Sequence, residues 1–222
     1  MYTGAMRSKY TELTPELYEY IVAHGSRQDE LLAAVERETE ELGGIAVMQI
    51  GPDEGALLAL LARTVDARFA VEVGTFTGYS AICVGRALPE DGRLLCCEIS
   101  EDWAATAQAN LERAGLTDRV EIRVAPAIET LRSLPADPPV DFAFVDADKP
   151  GYSDYYEELL RLMRPGALMV LDNVLLGGRV LDPGDDESAL AMYALNERIA
   201  ADERVDCTML GVADGITIVR KR

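Results

Sequence analysis

The sequence predicts an α/β fold: a doubly wound, mostly parallel sheet of seven strands, with a C-terminal antiparallel hairpin and extra N-terminal helices. Three observations predict it. From Phe69 onward, short apolar runs alternate with stretches of helical spacing. The runs are apolar on both faces, as strands covered by helices on two sides must be. The last two runs are joined by a turn too short for a parallel crossover, so they pair antiparallel.

Residues 10–65 contain no strand pattern but three helical segments, at about 14–24, 27–42 and 53–62. Strands follow at 69–74 (FAVEVG), 93–98 (RLLCCE), 119–124 (RVEIRV), 140–146 (VDFAFVD) and 166–172 (GALMVLD). Helices at 79–88, 101–114, 127–134 and 152–163 connect them, and right-handed crossovers make the sheet parallel. In the last of these helices Tyr152, Tyr156, Leu159, Leu160 and Met163 fall on one face. The chain closes with a helix at 188–201, a strand at 205–210, the turn Ala213-Asp214-Gly215 and a strand at 216–220. A length of 222 residues with 49% hydrophobic and 27% charged residues suits one large α/β domain over residues 1–222, with the helical stretch 1–65 packed on the core.

Charge and cysteine usage narrow the chemistry. Asp+Glu number 39 against 21 Lys+Arg, a formal charge of −18 that repels polyanions and demotes nucleic acid as a partner. The longest apolar run, residues 56–62, is far short of the roughly 18 a membrane helix needs. Residues 1–30 carry charges throughout and no apolar leader core, so no membrane partner and a cytoplasmic location are expected. His24 is the one histidine and no Cys-x-x-Cys occurs, which argues against a zinc site and a Ser-His-Asp triad. Cys83, Cys96, Cys97 and Cys207 are expected to be reduced core residues. Any metal must then rest on oxygen ligands.

The first strand runs into Val71-Glu72-Val73-Gly74-Thr75-Phe76-Thr77-Gly78-Tyr79-Ser80, whose glycines let the backbone turn and approach a ligand outside the strand's carboxyl end. Glu98 ends the second strand, 20 residues after Gly78, where a carboxylate can accept hydrogen bonds from ribose hydroxyls. Together these favour an adenosine-type ligand. The loop lacks the Gly-x-Gly-x-x-Gly spacing that seats a pyrophosphate. The fourth strand ends Val145-Asp146-Ala147-Asp148-Lys149 and the fifth Leu171-Asp172-Asn173. Any one of these polar residues alone reads as a solvated loop residue or cap. Asp146, Asp172 and Asn173 converging on one sheet edge offer three oxygen ligands, a set that suits Mg²⁺. Lys149 could salt-bridge the acids or, near a divalent cation, serve as a base.

In these motifs the chain resembles the cation-dependent class I S-adenosylmethionine O-methyltransferases, the family of catechol and caffeoyl-coenzyme A O-methyltransferases. The likeness runs from about Met48 to the C-terminus and rests on MQIGPDEG, VEVGTFTGYS, Glu98, APAIETL, FVDADKPGY, LDNVLLGGRV and Asp214-Gly215. The resemblance implies a Rossmann-like fold, S-adenosylmethionine as cofactor, Mg²⁺ (or Mn²⁺ or Ca²⁺) as metal, and a homodimer. It places Met48, Glu72, Gly74, Ser80, Glu98, Ala127, Asp146 and Asp148 against the cofactor. Asp146, Asp172 and Asn173 match the metal ligands, and Lys149 the proposed catalytic base. The acceptor implied is a small catechol-type, vicinal dihydroxy-aromatic molecule. Ala125, Leu175-Leu176 and Leu210-Gly211-Val212-Ala213 depart from the family's pattern around the adenine and substrate regions, which leaves the acceptor open. Two other readings compete. An RNA hydroxy-nucleoside methyltransferase on the same scaffold would need a basic face, for which Arg179, Arg198, Arg204, Arg220, Lys221 and Arg222 are the candidates. A nicotinamide-type Rossmann protein would need the other glycine spacing and no acid-rich triad.

Overall fold

The computed structural model describes residues 11–222; residues 1–10 of the expected N-terminal helical stretch lie outside the described residues. Seven strands form one sheet in the order β3-β2-β1-β4-β5-β7-β6. They are β1 (Phe69–Val73), β2 (Arg93–Glu98), β3 (Val120–Val124), β4 (Val140–Val145), β5 (Met163–Leu171), β6 (Val205–Leu210) and β7 (Ile216–Lys221). The first five are mutually parallel; β7 runs antiparallel to both β5 and β6. The hairpin and the doubly wound order are those the sequence predicts.

Helices α1 (Pro15–Gly25), α2 (Glu30–Glu40), α3 (Pro52–Thr64), α4 (Tyr79–Ala87), α5 (Glu101–Arg113), α6 (Ala127–Ser133), α7 (Tyr152–Leu162) and α8 (Glu187–Ala201) flank the sheet. Short polar side chains start four of them. Thr14, Asp29, Ser100 and Asp186 each accept a backbone N–H of the first turn. Two differences from the sequence pattern have local causes. The segment expected as helix 27–42 is helical only from Glu30, because Asp29 takes the cap, and it gives way to a 3₁₀ turn at Gly43–Met48. Strand β5 starts three residues early, at Met163, because Met163 pairs with Val140 before the register shifts.

Period-2 alternation divides the core into two layers. Val71, Val73, Ala143, Val145, Met169 and Leu171 pack against α7 and α8 on one side. Ala70, Phe142, Phe144, Leu168 and Val170 pack against α2, α3 and α4 on the other. Residues 43–64 are together long and apolar enough to cross a membrane by composition alone. The chain breaks them with extended backbone at Gln49, and Leu58 and Ala62 of α3 are buried in the second layer.

Two expectations need correction. Cys83, Cys96 and Cys97 are buried, but Cys207 is exposed on β6, because only the first residue of that edge strand is covered. The apolar sequence of residues 175–180, which with the N-terminal helices would offer surface for the implied homodimer, instead buries Leu176 and Val180 in the chain's own core. Exposed apolar side chains lie instead at Tyr20, Ile21, Ile45 and Leu60 of the N-terminal helices and turn.

Candidate active site

The strand order reverses between β1 and β4, and ligands of such sheets bind outside the carboxyl ends at that point. A cleft of about 1040 Å³ opens there. Gly74 makes its floor possible. Its φ is +90°, and a Cβ at this position would stand 1.8 Å from the Asp146 carbonyl oxygen. The two strand ends therefore lie side by side at a distance only glycine allows. Strain gathers around the same cleft. Among the described residues, five that are not glycine have positive φ, and four of them, Phe76, Asn173, Leu176 and Ala213, line it.

Met48, Gly74, Ser80, Glu98, Ala127, Asp146, Asp148, Lys149, Asp172 and Asn173 all line this cleft, so the structure brings together ten of the eleven residues singled out from the sequence. Glu72 alone adds nothing to the wall. Alternation turns it into the α3–α4 layer, where it is 1% exposed and neither carboxyl oxygen has a hydrogen-bond partner. Burial lifts its carboxyl to about 8, and the nearby Ser80, Cys96 and Thr75 side chains offset this only in part.

At the glycine-loop end, Glu98 is held by four backbone donors. Thr75 N (3.1 Å) and Phe76 N (2.9 Å) donate to one oxygen, Ile99 N (2.9 Å) and Ser100 N (3.0 Å) to the other. This carboxylate thus knits the loop after β1 to the loop after β2, a role with no sequence signal. Phe76 and Trp103 meet edge to face beside it, centroids 4.6 Å apart. Asp148 accepts from Tyr155 Oη at 2.7 Å and from Gly151 N at 3.1 Å.

At the opposite end stand the acids. Asp146 N bonds Val73 O (2.8 Å) and Asp172 N bonds Val145 O (3.0 Å), which extends both ladders by one residue and puts the two side chains side by side. The Lys149 ammonium lies among them: Nζ donates to Asp146 Oδ1 (3.2 Å), Asn173 Oδ1 (2.8 Å), Ala147 O (3.0 Å) and Tyr152 Oη (2.8 Å). Tyr152, which the sequence presents only as a core position of α7, is the hub here. Its hydroxyl also sits 3.1 Å from Val145 O and 3.2 Å from Asp172 O, tying β4, β5 and Lys149 together. Asp172 turns back on its neighbour, accepting from Asn173 N (2.5 Å) and Asn173 Nδ2 (3.1 Å).

Glu54, on the first turn of α3, is a further acid of the cleft wall that sequence reading left unassigned. Burial lifts its carboxyl to about 9, with the Asp172 and Asp146 charges adding to the effect. Burial likewise lifts Asp172 to about 7, against the opposing Lys149 charge and Asn173 N–H. Asp146 is raised by burial and pulled down by Lys149. Glu54, Glu72 and Asp172 therefore bind protons more tightly in the folded protein than in the unfolded chain. Metal-free protein should lose stability as pH rises from about 5 to about 9, and Glu54→Gln should flatten that slope. Melting temperatures across this range check it; a wild-type curve that rises with pH would contradict it.

A family model described as O-methyltransferase matches residues 22–222. The chain belongs to the O-methyltransferase family. With it comes the enzyme class, S-adenosylmethionine-dependent methyl transfer to oxygen. This O-methyltransferase is 42% identical over 189 residues to the catechol O-methyltransferase of Niastella koreensis, an overlap covering 84% of this chain and 85% of that one. It is 36% identical over 221 residues to caffeoyl-CoA O-methyltransferase 2 of Zea mays, covering 93% and 83%. Among solved structures, the O-methyltransferase TomG of Streptomyces achromogenes, involved in tomaymycin synthesis and determined in complex with SAM, superposes with a TM-score of 0.86. The two are 35% identical, and the match covers 93% of this chain and 96% of that one. The family leaves no room for the nicotinamide reading. Among the described residues, the basic face needed by an RNA-modifying enzyme is absent from the cleft wall, where Lys149 is the cationic side chain. Arg179 pairs with Asp186, Arg198 and Arg204 with Glu157, Arg220 and Arg222 with Asp206, and Lys221 Nζ bonds main-chain carbonyls.

Proposed function

We propose that this O-methyltransferase moves the methyl group of S-adenosylmethionine to one hydroxyl of a small vicinal dihydroxy-aromatic acceptor, aided by a divalent cation. One observation carries the reading: a single cleft holds the glycine loop and Glu98 together with Asp146, Asp172, Asn173 and Lys149. Its volume suits a nucleoside cofactor with a small aromatic molecule beside it. The named relatives act on a catechol and a caffeoyl-CoA acceptor, which supports the acceptor class.

Gly74, Ser80, Asp148 and Met48, with Glu72 behind them, would seat the methionine half. Glu98 and Ala127 would seat the ribose and adenine. The cation fits by the chemistry of its donors. Asp146, Asp172 and Asn173 are hard oxygen ligands, and Glu54, neither of whose carboxyl oxygens has a hydrogen-bond partner, adds a further carboxyl group to the same wall. Among the described residues, no three His, Cys, Asp or Glu side chains stand close enough to hold an ion as they are. In this arrangement Lys149 Nζ donates to both Asp146 and Asn173, and Asp172 is folded onto the Asn173 amide. When bound, the cation would lower the pKa of the acceptor hydroxyl and fix its direction. Lys149, once in its neutral amine form, would take that hydroxyl's proton. Apolar Ile50 and Leu176 also line the cleft, and the opposite charges of sulfonium and phenolate would partly cancel as they meet in line. A cytoplasmic homodimer completes the proposal, with the exposed apolar residues of the N-terminal helices as its contact surface.

Labelled S-adenosylmethionine offered with catechols, caffeoyl esters, flavonoids and hydroxylated nucleosides tests the reading. Methyl transfer to the first three and not the last is the expected result; transfer to nucleosides alone would overturn it. Replacing Glu98 by Ala removes the ribose acceptor and the partner of four backbone N–H groups. S-adenosylmethionine affinity should fall by about 1–3 kcal/mol, together with the melting temperature. Unchanged calorimetric affinity would show that Glu98 does not hold the ribose.

A further inference from the structure

Helix α3 opens Pro52-Asp53-Glu54, and the two acids face different ways. Asp53 accepts a hydrogen bond from Tyr18 Oη at 3.1 Å, which latches α1 to α3. Glu54 points inward, is 1% exposed, and both of its carboxyl oxygens are without a hydrogen-bond partner. Its place on the first helical turn relieves some of the cost through the helix dipole. That is far less than burying an unpaired carboxylate demands.

The surroundings sharpen the imbalance. Glu54 shares the cleft wall with Asp146 and Asp172, three carboxylates at one end of it. Lys149 is the cationic side chain in that wall, and its ammonium is already engaged by Asp146, Asn173, Ala147 and Tyr152. Among the described residues neither Glu54 oxygen has a hydrogen-bond partner, and the side chain nearest in effect is another acid, Asp172. A positive group entering from the cleft would give this carboxyl the partner it lacks.

We propose that Glu54 is a fourth member of the divalent-cation site, its carboxylate meeting the ion's charge from the α3 side while Asp146, Asp172 and Asn173 meet it from the sheet. This rests on the cation reading above and adds to it a residue from a different element. It makes cation affinity depend on how α3 packs on the sheet.

The test is Mn²⁺ binding to the purified full-length protein, followed by calorimetry and by the loss of the free-ion electron paramagnetic resonance signal. Glu54→Gln, which keeps shape and removes charge, should weaken Mn²⁺ at least about tenfold and leave S-adenosylmethionine affinity within about twofold. Glu54→Asp, with its charge one methylene farther back, should recover part of the loss. Asp53→Asn, which alters the neighbouring acid outside the cleft, should bind Mn²⁺ within about threefold of wild type. Wild-type Mn²⁺ affinity in Glu54→Gln would overturn the assignment while leaving the three-ligand reading intact. Loss of S-adenosylmethionine binding in place of Mn²⁺ binding would assign Glu54 to the cofactor and overturn it as well. A wild-type protein that binds no Mn²⁺, with or without S-adenosylmethionine, would remove the cation reading itself.

Discussion

Chelation with EDTA should abolish methyl transfer, by roughly 10³-fold or more, while leaving S-adenosylmethionine bound; Mg²⁺ or Mn²⁺ should restore it. The separation follows from the layout of the cleft. Glu98 and Ala127 follow β2 and β3 on one side of the cleft and need no ion, whereas Asp146, Asp172 and Asn173 follow β4 and β5 on the other. Asp172→Ala should behave as the chelated wild type does. Asp172 is buried, raised to about 7 by that burial and by Asp146, and its main-chain N–H extends the β4–β5 ladder. Removing its side chain therefore takes away a ligand without taking away the strand pairing. Initial rates with and without chelator, beside calorimetric titration of S-adenosylmethionine, read the two quantities separately. Full activity in EDTA would end the metal assignment, and loss of cofactor binding on chelation would mean that the two sides are not independent.

Lys149→Ala should retain cofactor and acceptor binding yet turn over about 10²–10⁴-fold more slowly, with the deficit shrinking as pH rises and the acceptor hydroxyl ionises unaided. The competing role is structural. Lys149 Nζ neutralises Asp146 at 3.2 Å and braces Asn173 and Tyr152, so its removal could act only by loosening the acid cluster. That role would change Mn²⁺ affinity and leave the pH dependence of the rate unaltered. Tyr152→Phe separates the two further. It deletes a 2.8 Å contact to Nζ and the links to Val145 O and Asp172 O without touching the amine. A pH-independent defect in Lys149→Ala would exclude the base.

Much of this protein was legible in its residues. Alternating apolar runs and helical spacing placed all seven strands and the C-terminal hairpin, and the motifs placed ten residues on one cleft. What escaped shares a cause. Asp29 as a cap, and the Met163–Val140 pairing that starts β5 early, are settled by partners distant in the chain or by one side-chain bond, and periodicity reports neither. Glu54 reads in sequence as an acid at a helix start, a common and solvated place. Tyr152 reads as one more apolar contact of α7, and Glu98 as a ligand for a sugar with no hint of its four main-chain donors.

The division is physical. Strand and helix periods, turn glycines and charged motif residues are local properties, so the fold class, the order of elements and the residues available for chemistry could be read along the chain. Which of those residues face one another depends on strand order and on the pleat. The reversal between β1 and β4 sets residues 74 and 146 in contact, and alternation turns Glu72, Asp146 and Asp172 toward the layer that holds α3. That Glu54 joins them and that Lys149 lies in their midst are facts of the assembled fold alone. Burial and the shared electrostatics of groups far apart in the chain do not exist until the sheet is assembled.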